Sequence, residues 1–128
     1  MALGAANVVL DLDRQGVTVD RIVMAGGIMR NPLWLQATVD AIGKPVGLFP
    51  DDNLTLYGNA VAAAVGLGRW PGLAEAAAAL APPVREIRPD PARSAQYRRL
   101  LVQYRQAVDV LAPILHDLAD GILAEPPA

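Results

Sequence analysis

A continuous apolar run followed by two glycines constrains the fold of this chain most strongly. The run at residues 22–25 (IVMA) lacks the alternation of apolar and polar residues expected for a strand with one face in water. Such runs are typical of parallel strands that are buried on both faces. Because Gly26 and Gly27 follow at once, the pattern predicts a central parallel strand that ends at a sharp turn.

The dipeptide Asn31-Pro32 predicts that a helix begins shortly after the two glycines. Asn is a favoured N-terminal cap, and Pro is favoured at the first helical position. We expect this helix to run to about Ile42, where Gly43 ends it. A second short strand is predicted at residues 45–49. Strand, helix and strand in close succession indicate an α/β fold with a right-handed crossover between parallel strands.

The rest of the chain is predicted to be mostly helical. Helices are expected at residues 2–15, 56–67, 73–80 and 91–123, with a turn and helix cap at 51–53 and a short edge strand or extended segment at 84–88. In the last helix, apolar residues from Tyr97 to Ile122 are spaced alternately four and three apart. This stripe predicts a helix laid on the core, with a coiled-coil partner as the alternative. Pro113 predicts a kink near residues 109–112.

The glycine pair and the following helix start form a candidate anion site. Glycines let a ligand approach the backbone without a Cβ in the way. A helix N-terminus offers free N–H groups and a positive dipole end, and Arg30 could add charge. A tight strand-to-helix turn with no ligand explains the same residues equally well. The spacing matches neither the dinucleotide-binding fingerprint nor the P-loop.

Composition excludes several classes of function. The 128 residues include 11 Lys and Arg against 13 Asp and Glu, a net charge of −2, which argues against nucleic-acid and anionic-membrane partners. No apolar stretch approaches the roughly 20 residues of a spanning helix. The absence of cysteine excludes disulfide scaffolds, thiolate zinc sites and cysteine nucleophiles. His116 is expected on the surface, and no catalytic residue or metal-ligand set is predicted within the chain. With no signal peptide evident, we expect a soluble, cytoplasmic protein.

Three segments resemble the C-terminal domain of the FGGY family of carbohydrate kinases. They are RIVMAGG with NPLWLQATVDAIGKPV (residues 21–27 and 31–46), TLYGNAVAAAVGLG (55–68), and a Pro-Asp-Pro element (89–91) before a last helix with spaced tyrosines. The resemblance extends over nearly the whole chain, and the segments follow in the family's order.

The resemblance implies a partial actin-like (ribonuclease H-like) ATPase domain with short parallel strands, packed helices and a long C-terminal helix. Residues 1–128 would be the C-terminal nucleotide-binding portion of a two-domain sugar kinase without its N-terminal sugar-binding domain. By position, Gly26 and Gly27 would approach the phosphates of ADP or ATP, and Asn31 would reach the adenosine. The cofactors would be ATP and Mg²⁺. The acceptor would be a ketose or polyol, with a pentulose such as xylulose favoured, and the isolated chain would be inactive.

Two departures from the family pattern affect the expected site. Ile28 and Met29 are bulky where the family usually has small residues after the glycine pair, which could alter how adenine sits. Asn53 stands where many members carry a glutamate. Neither departure removes the phosphate-facing turn, but both leave the substrate open.

Two alternatives to the kinase hypothesis remain. The chain could be a truncated, non-catalytic module that pairs with itself or another protein, or a domain that binds a different phosphorylated ligand. The sequence opens directly on a helical pattern, which favours a piece of a longer chain. We therefore expect an exposed strand edge or apolar face, covered by a neighbouring copy.

Overall fold

The computed structural model describes residues 1–50 and 53–123 as helices around a small sheet. The helices are α1 (Ala2–Arg14), α2 (Pro32–Ile42), α3 (Leu54–Gly66), α4 (Leu73–Leu80) and α5 (Pro91–Leu123). The strands are β1 (Val23–Met24), β2 (Val46–Leu48) and β3 (Arg85–Ile87). A single turn of 3-10 helix, Gly27–Arg30, connects β1 to α2. The predicted combination of short strands with packed helices is therefore confirmed.

The three strands form one sheet in the order β1-β2-β3. Strands β1 and β2 are parallel, with Met24 opposite Leu48, and α2 connects them as predicted. Strand β3 pairs with β2 in the antiparallel direction and lies at the opposite edge. The prediction that the first strand is central and buried on both faces is wrong for the described residues. No described strand pairs with the outer side of β1, so β1 is not central. Val23 is 46% exposed, so β1 is not buried on both faces.

The main core lies between α2 and the sheet. Its buried members are Leu35 and Val39 of α2 with Val46 and Leu48 of β2. Because side chains alternate along a strand, Val46 and Leu48 face this core while Gly47 faces away from it. The partly buried residues packed around the cluster are Ile22, Met24, Ile28, Met29 and Ile87. The core therefore supports the 3-10 turn directly.

A second cluster joins α1, α2 and the first half of α5. Ala6, Ala41 and Leu101 are buried in it, and Tyr97 and Tyr104 of α5 pack against them. At its rim, Arg105 Nη1 donates to the carboxylate of Asp11 at 2.7 Å.

The apolar stripe of α5 lies on the core only as far as Tyr104. Four later members of the stripe are 37–59% exposed: Val108, Leu111, Leu115 and Leu118. The prediction of a stripe packed along its whole length is therefore wrong, whereas the expected exposed apolar face is confirmed. Pro113 lies inside α5; the kink and a covering second copy stay predictions.

Most helix bounds agree with the sequence-based expectations. Helices α2 and α4 begin and end as predicted, and α3 begins two residues earlier than expected, at Leu54. Residues 51 and 52 of the predicted turn lie outside the described residues. Within the described part of the chain, no helix combines the length and apolar character needed to cross a bilayer.

Candidate functional site

The candidate site residues lie at the end of the sheet where the parallel strands β1 and β2 both finish. The N–H of Phe49, which follows β2, donates to the carbonyl of Met24 in β1 at 2.9 Å. Phe49, the first residue after β2, therefore lies beside the end of β1, where the chain enters the glycine turn. In open α/β sheets, ligands bind just beyond the carboxyl ends of parallel strands.

Gly26 is required by the backbone of the turn itself. Its φ of 84° and ψ of −158° lie in a region that is essentially restricted to glycine. The carbonyl of Gly26 accepts the N–H of Met29 at 3.0 Å, which closes the turn. An added Cβ would meet no atom within 4 Å. A substitution here therefore meets backbone strain and no steric clash.

Gly27 is not required by the fold in the same way. Its φ is not positive, and an added Cβ would likewise meet no atom within 4 Å. Gly27 is exposed. The fold therefore leaves room for a side chain at Gly27, and glycine there permits close approach by a ligand.

Three backbone donors surround the turn. The N–H groups of Gly27, Ile28 and Leu33 donate to no described residue. Pro32 has no N–H, and the N–H of Trp34 donates to Asn31 Oδ1 at 3.1 Å. The first turn of α2 thus offers fewer free donors than an ordinary helix N-terminus, and the 3-10 turn supplies the others. Arg30, exposed at the end of that turn, adds positive charge.

Asn31 caps α2 as the sequence predicted. Its backbone is extended, its side-chain oxygen accepts from Trp34, and its carbonyl accepts the N–H of Leu35. We expect Asn31→Ala to lower the free energy of unfolding by about 1 kcal/mol, because a helix donor loses its partner. Urea denaturation measures this. The control Asn59→Ala removes an exposed Asn from inside α3 and should cost nothing, since Ala favours helix. Equal losses in both variants would contradict the capping role.

The bulky pair after the glycines points toward the core. Ile28 and Met29 pack against the cluster formed by α2 and β2. Their size therefore fills space beneath the turn, which the sequence pattern alone did not indicate. The effect of these side chains on adenine binding stays a prediction.

The other residues that the sequence analysis considered lie away from the turn or do not form a site with it. His116 is exposed on the second half of α5. The Asn53 side chain does not cap α3. Across residues 1–50 and 53–123, no three His, Asp or Glu residues form a group that could hold a metal ion.

Sequence reasoning missed Asp40, a carboxylate buried within α2. Its side chain is 1% exposed and receives hydrogen bonds from both α2 and the region where α5 begins. The signal that could have revealed it is an acidic residue between two buried positions, Val39 and Ala41, four residues after Gln36.

Comparison with known proteins agrees with this architecture. The model of the "FGGY family of carbohydrate kinases, C-terminal domain" matches residues 1–67, which include β1, the glycine pair, α2 and β2. Autoinducer-2 kinase from Salmonella typhimurium is 39% identical over 84 residues, covering 66% of this chain and 16% of that protein. Ribulokinase from Vibrio parahaemolyticus is 36% identical over 86 residues, covering 66% and 15%.

A solved structure extends the likeness beyond residue 67. Xylulose kinase from Rhodospirillum rubrum matches with a TM-score of 0.66 and 28% identity, covering 90% of this chain and 23% of that one. The chain thus spans about a sixth of the length of the kinases that it matches in sequence.

Proposed function

This chain belongs to the FGGY family of carbohydrate kinases, and we propose that it is the nucleotide-binding portion of an ATP-dependent sugar kinase. The parent enzyme, in the cytoplasm, would transfer the γ-phosphoryl group of ATP to a hydroxyl of a ketose or polyol. The observation that carries the proposal is the glycine turn, which lies within the matched residues and has backbone donors without a described acceptor at the carboxyl ends of parallel strands.

The proposed ligand contacts follow from the geometry of the turn. Gly26 bends the chain, and Gly27 lets the phosphates of ATP or ADP approach the backbone. The N–H groups of Gly27 and Ile28 and the positive end of α2 stabilise the phosphate charge. Asn31, at the start of α2, faces the adenosine.

Mg²⁺ would arrive with the nucleotide. Mg²⁺ retains several waters and is usually held by one or two carboxylates together with substrate phosphates. We propose that the nucleotide phosphates bound at the glycine turn would hold the ion. When bound, Mg²⁺ neutralises charge that develops on the phosphates.

The names of the related kinases support the proposed class of phosphoryl acceptor. These relatives are kinases of autoinducer-2, ribulose, erythritol and xylulose. We favour a pentulose such as xylulose. The acceptor site and the catalytic base would belong to another part of the parent enzyme.

The two glycines provide a matched test of nucleotide binding. Gly27→Ala should raise the Kd for ADP on the order of tenfold, about 1.4 kcal/mol, because the new Cβ meets only the ligand. Its free energy of unfolding should be unchanged or higher by up to about 1 kcal/mol. Gly26→Ala should lower the free energy of unfolding by about 1–3 kcal/mol through backbone strain. Isothermal titration calorimetry and urea denaturation measure the two quantities.

The wild-type titration also discriminates between ligand classes. Saturation by a non-nucleotide phosphate, with no heat from ATP or ADP, would favour a domain for another phosphorylated ligand. An unchanged ADP Kd in Gly27→Ala would contradict phosphate contact at this turn.

Self-association is the second candidate function, and the exposed half of α5 favours it. Val108, Leu111, Leu115 and Leu118 form an apolar surface without a described partner. Sedimentation over a range of concentrations tests this candidate. A monomer at all concentrations would exclude it, while a dimer that Leu111→Asp dissociates would support it.

A further inference from the structure

A buried carboxylate lies near the C-terminal end of α2. Charged groups are costly to bury unless they are paired and hydrogen-bonded. Asp40 satisfies both conditions: its Oδ2 lies 2.7 Å from Arg93 Nε. Its Oδ1 accepts Gln36 Nε2 at 2.8 Å and the backbone N–H of Asp90 at 2.7 Å. Each carboxylate oxygen therefore has at least one donor.

These donors connect α2 to the start of α5. Asp90 directly precedes α5, and Arg93 lies in its first turn. Gln36, one turn before Asp40 on the same face of α2, also donates to the carbonyl of Arg88 at 3.2 Å. One face of α2 thus holds the segment from Arg88 to Arg93, about fifty positions later in the chain.

The start of α5 is itself firmly structured. The carboxylate of Asp90 accepts the N–H of Arg93 at 2.9 Å, and the carbonyl of Asp90 accepts the N–H of Ser94. The hydrogen bond from the Arg93 N–H, assisted by the Arg93 charge, lowers the pKa of Asp90 below its ordinary value. Asp40 therefore binds a capped helix start rather than a loose segment.

The hydrogen bonds of Asp40 fix the orientation of α2, which its apolar core contacts do not. Leu35 and Val39 hold α2 against β2, but apolar burial is non-directional. Charge-assisted hydrogen bonds constrain distance and angle closely. At about 1.5 Å per residue, Asp40 lies some 13 Å along the helix from Asn31. The hydrogen bonds of Asp40 prevent α2 from rotating or tilting. Either motion would displace the first turn of α2.

We propose that Asp40 is a positioning residue for the glycine turn: by fixing α2 on α5, it sets where the first turn of α2 meets the nucleotide. The role at the ligand rests on the proposed nucleotide-binding function. Asp40 touches no ligand itself and acts through the orientation of α2.

The test compares Asp40→Asn with the control Asp13→Asn. The first variant removes the charge and places an amide donor near the donors of Arg93 and Asp90. Asp13 forms an ion pair with Lys44 at 3.1 Å on the surface, so its variant makes the same chemical change but leaves the hydrogen bonds between α2 and the start of α5 intact. ADP binding by both variants is measured well below their melting temperatures, so that only folded protein is compared. We expect the ADP Kd to rise on the order of tenfold in Asp40→Asn, as for displaced binding groups, and less than twofold in Asp13→Asn.

Hydrogen exchange of the Trp34 amide provides a readout that needs no ligand. This N–H donates to Asn31 Oδ1 at the start of α2. We expect it to exchange faster in Asp40→Asn than in Asp13→Asn and in the wild type. A lower melting temperature with an unchanged ADP Kd would overturn the proposal, because Asp40 would then serve stability alone. If the wild type binds no ADP, the proposed function fails. Trp34 exchange then decides the positioning role: faster exchange supports it and unchanged exchange overturns it.

Discussion

Replacing Leu48 by alanine is expected to lower the free energy of unfolding by about 3 kcal/mol. Leu48 is 2% exposed and packs with Leu35, Val39 and Val46 in the main core. Truncation removes buried methyl groups and leaves a cavity that the strand backbone cannot close, because Leu48 is paired on both sides. Folded domains are stable by only about 5–15 kcal/mol, so the loss is large. Urea denaturation measures it as a lower midpoint at an unchanged slope.

The matched control is Leu33→Ala in the first turn of α2. Leu33 is 82% exposed, so the same truncation removes little buried surface and should change the free energy of unfolding by less than about 0.5 kcal/mol. Similar losses at Leu33 and Leu48 would contradict the assignment of the core to the space between α2 and the sheet.

The second large effect is the absence of sugar-dependent ATP turnover by these 128 residues alone. Phosphoryl transfer depends on positioning the acceptor hydroxyl, a base and Mg²⁺ around the γ-phosphate. The proposed function assigns only the phosphate-facing turn and one wall of the nucleotide site to this chain. We therefore expect ADP release with MgATP and xylulose, ribulose or erythritol to equal that of a protein-free control. A coupled ADP assay measures the rate.

A positive control shows that the assay detects sugar-dependent ADP release. The xylulose kinase from Rhodospirillum rubrum, run in the same assay with xylulose, should release ADP. Sugar-dependent ADP release by the 128-residue chain would contradict the prediction if it scales with protein concentration and is reduced in Gly27→Ala. That result would place an acceptor site and a base within this chain.

Local signals predicted α2, α4 and the glycine turn accurately. Asn31, Pro32 and Gly43 marked the ends of α2, because capping and the left-handed conformation of a C-terminal glycine depend on neighbouring residues alone. The glycine pair after an apolar run likewise predicted the turn that β1 enters. The proposed ligand roles of Gly26, Gly27 and Asn31 came from the family resemblance, and they remain proposals.

Long-range features were mispredicted or missed. The apolar run at residues 22–25 predicted a central strand, yet β1 lies at an edge of the described sheet. The stripe on α5 predicted packing along its length, yet its second half is exposed. In both cases a pattern shows that a surface is apolar but does not show which element covers it.

By itself, the sequence determined where α2 and α4 begin and end, that a short strand lies on each side of α2 in the chain, and that a glycine turn precedes α2. Those properties depend on residues close to one another in the chain. The tertiary structure alone decided that Asp40 pairs with Arg93, that Ile28 and Met29 fill the core beneath the turn, and which half of α5 is covered. Such contacts join residues far apart in the chain, and their energies depend on burial that only the folded arrangement creates.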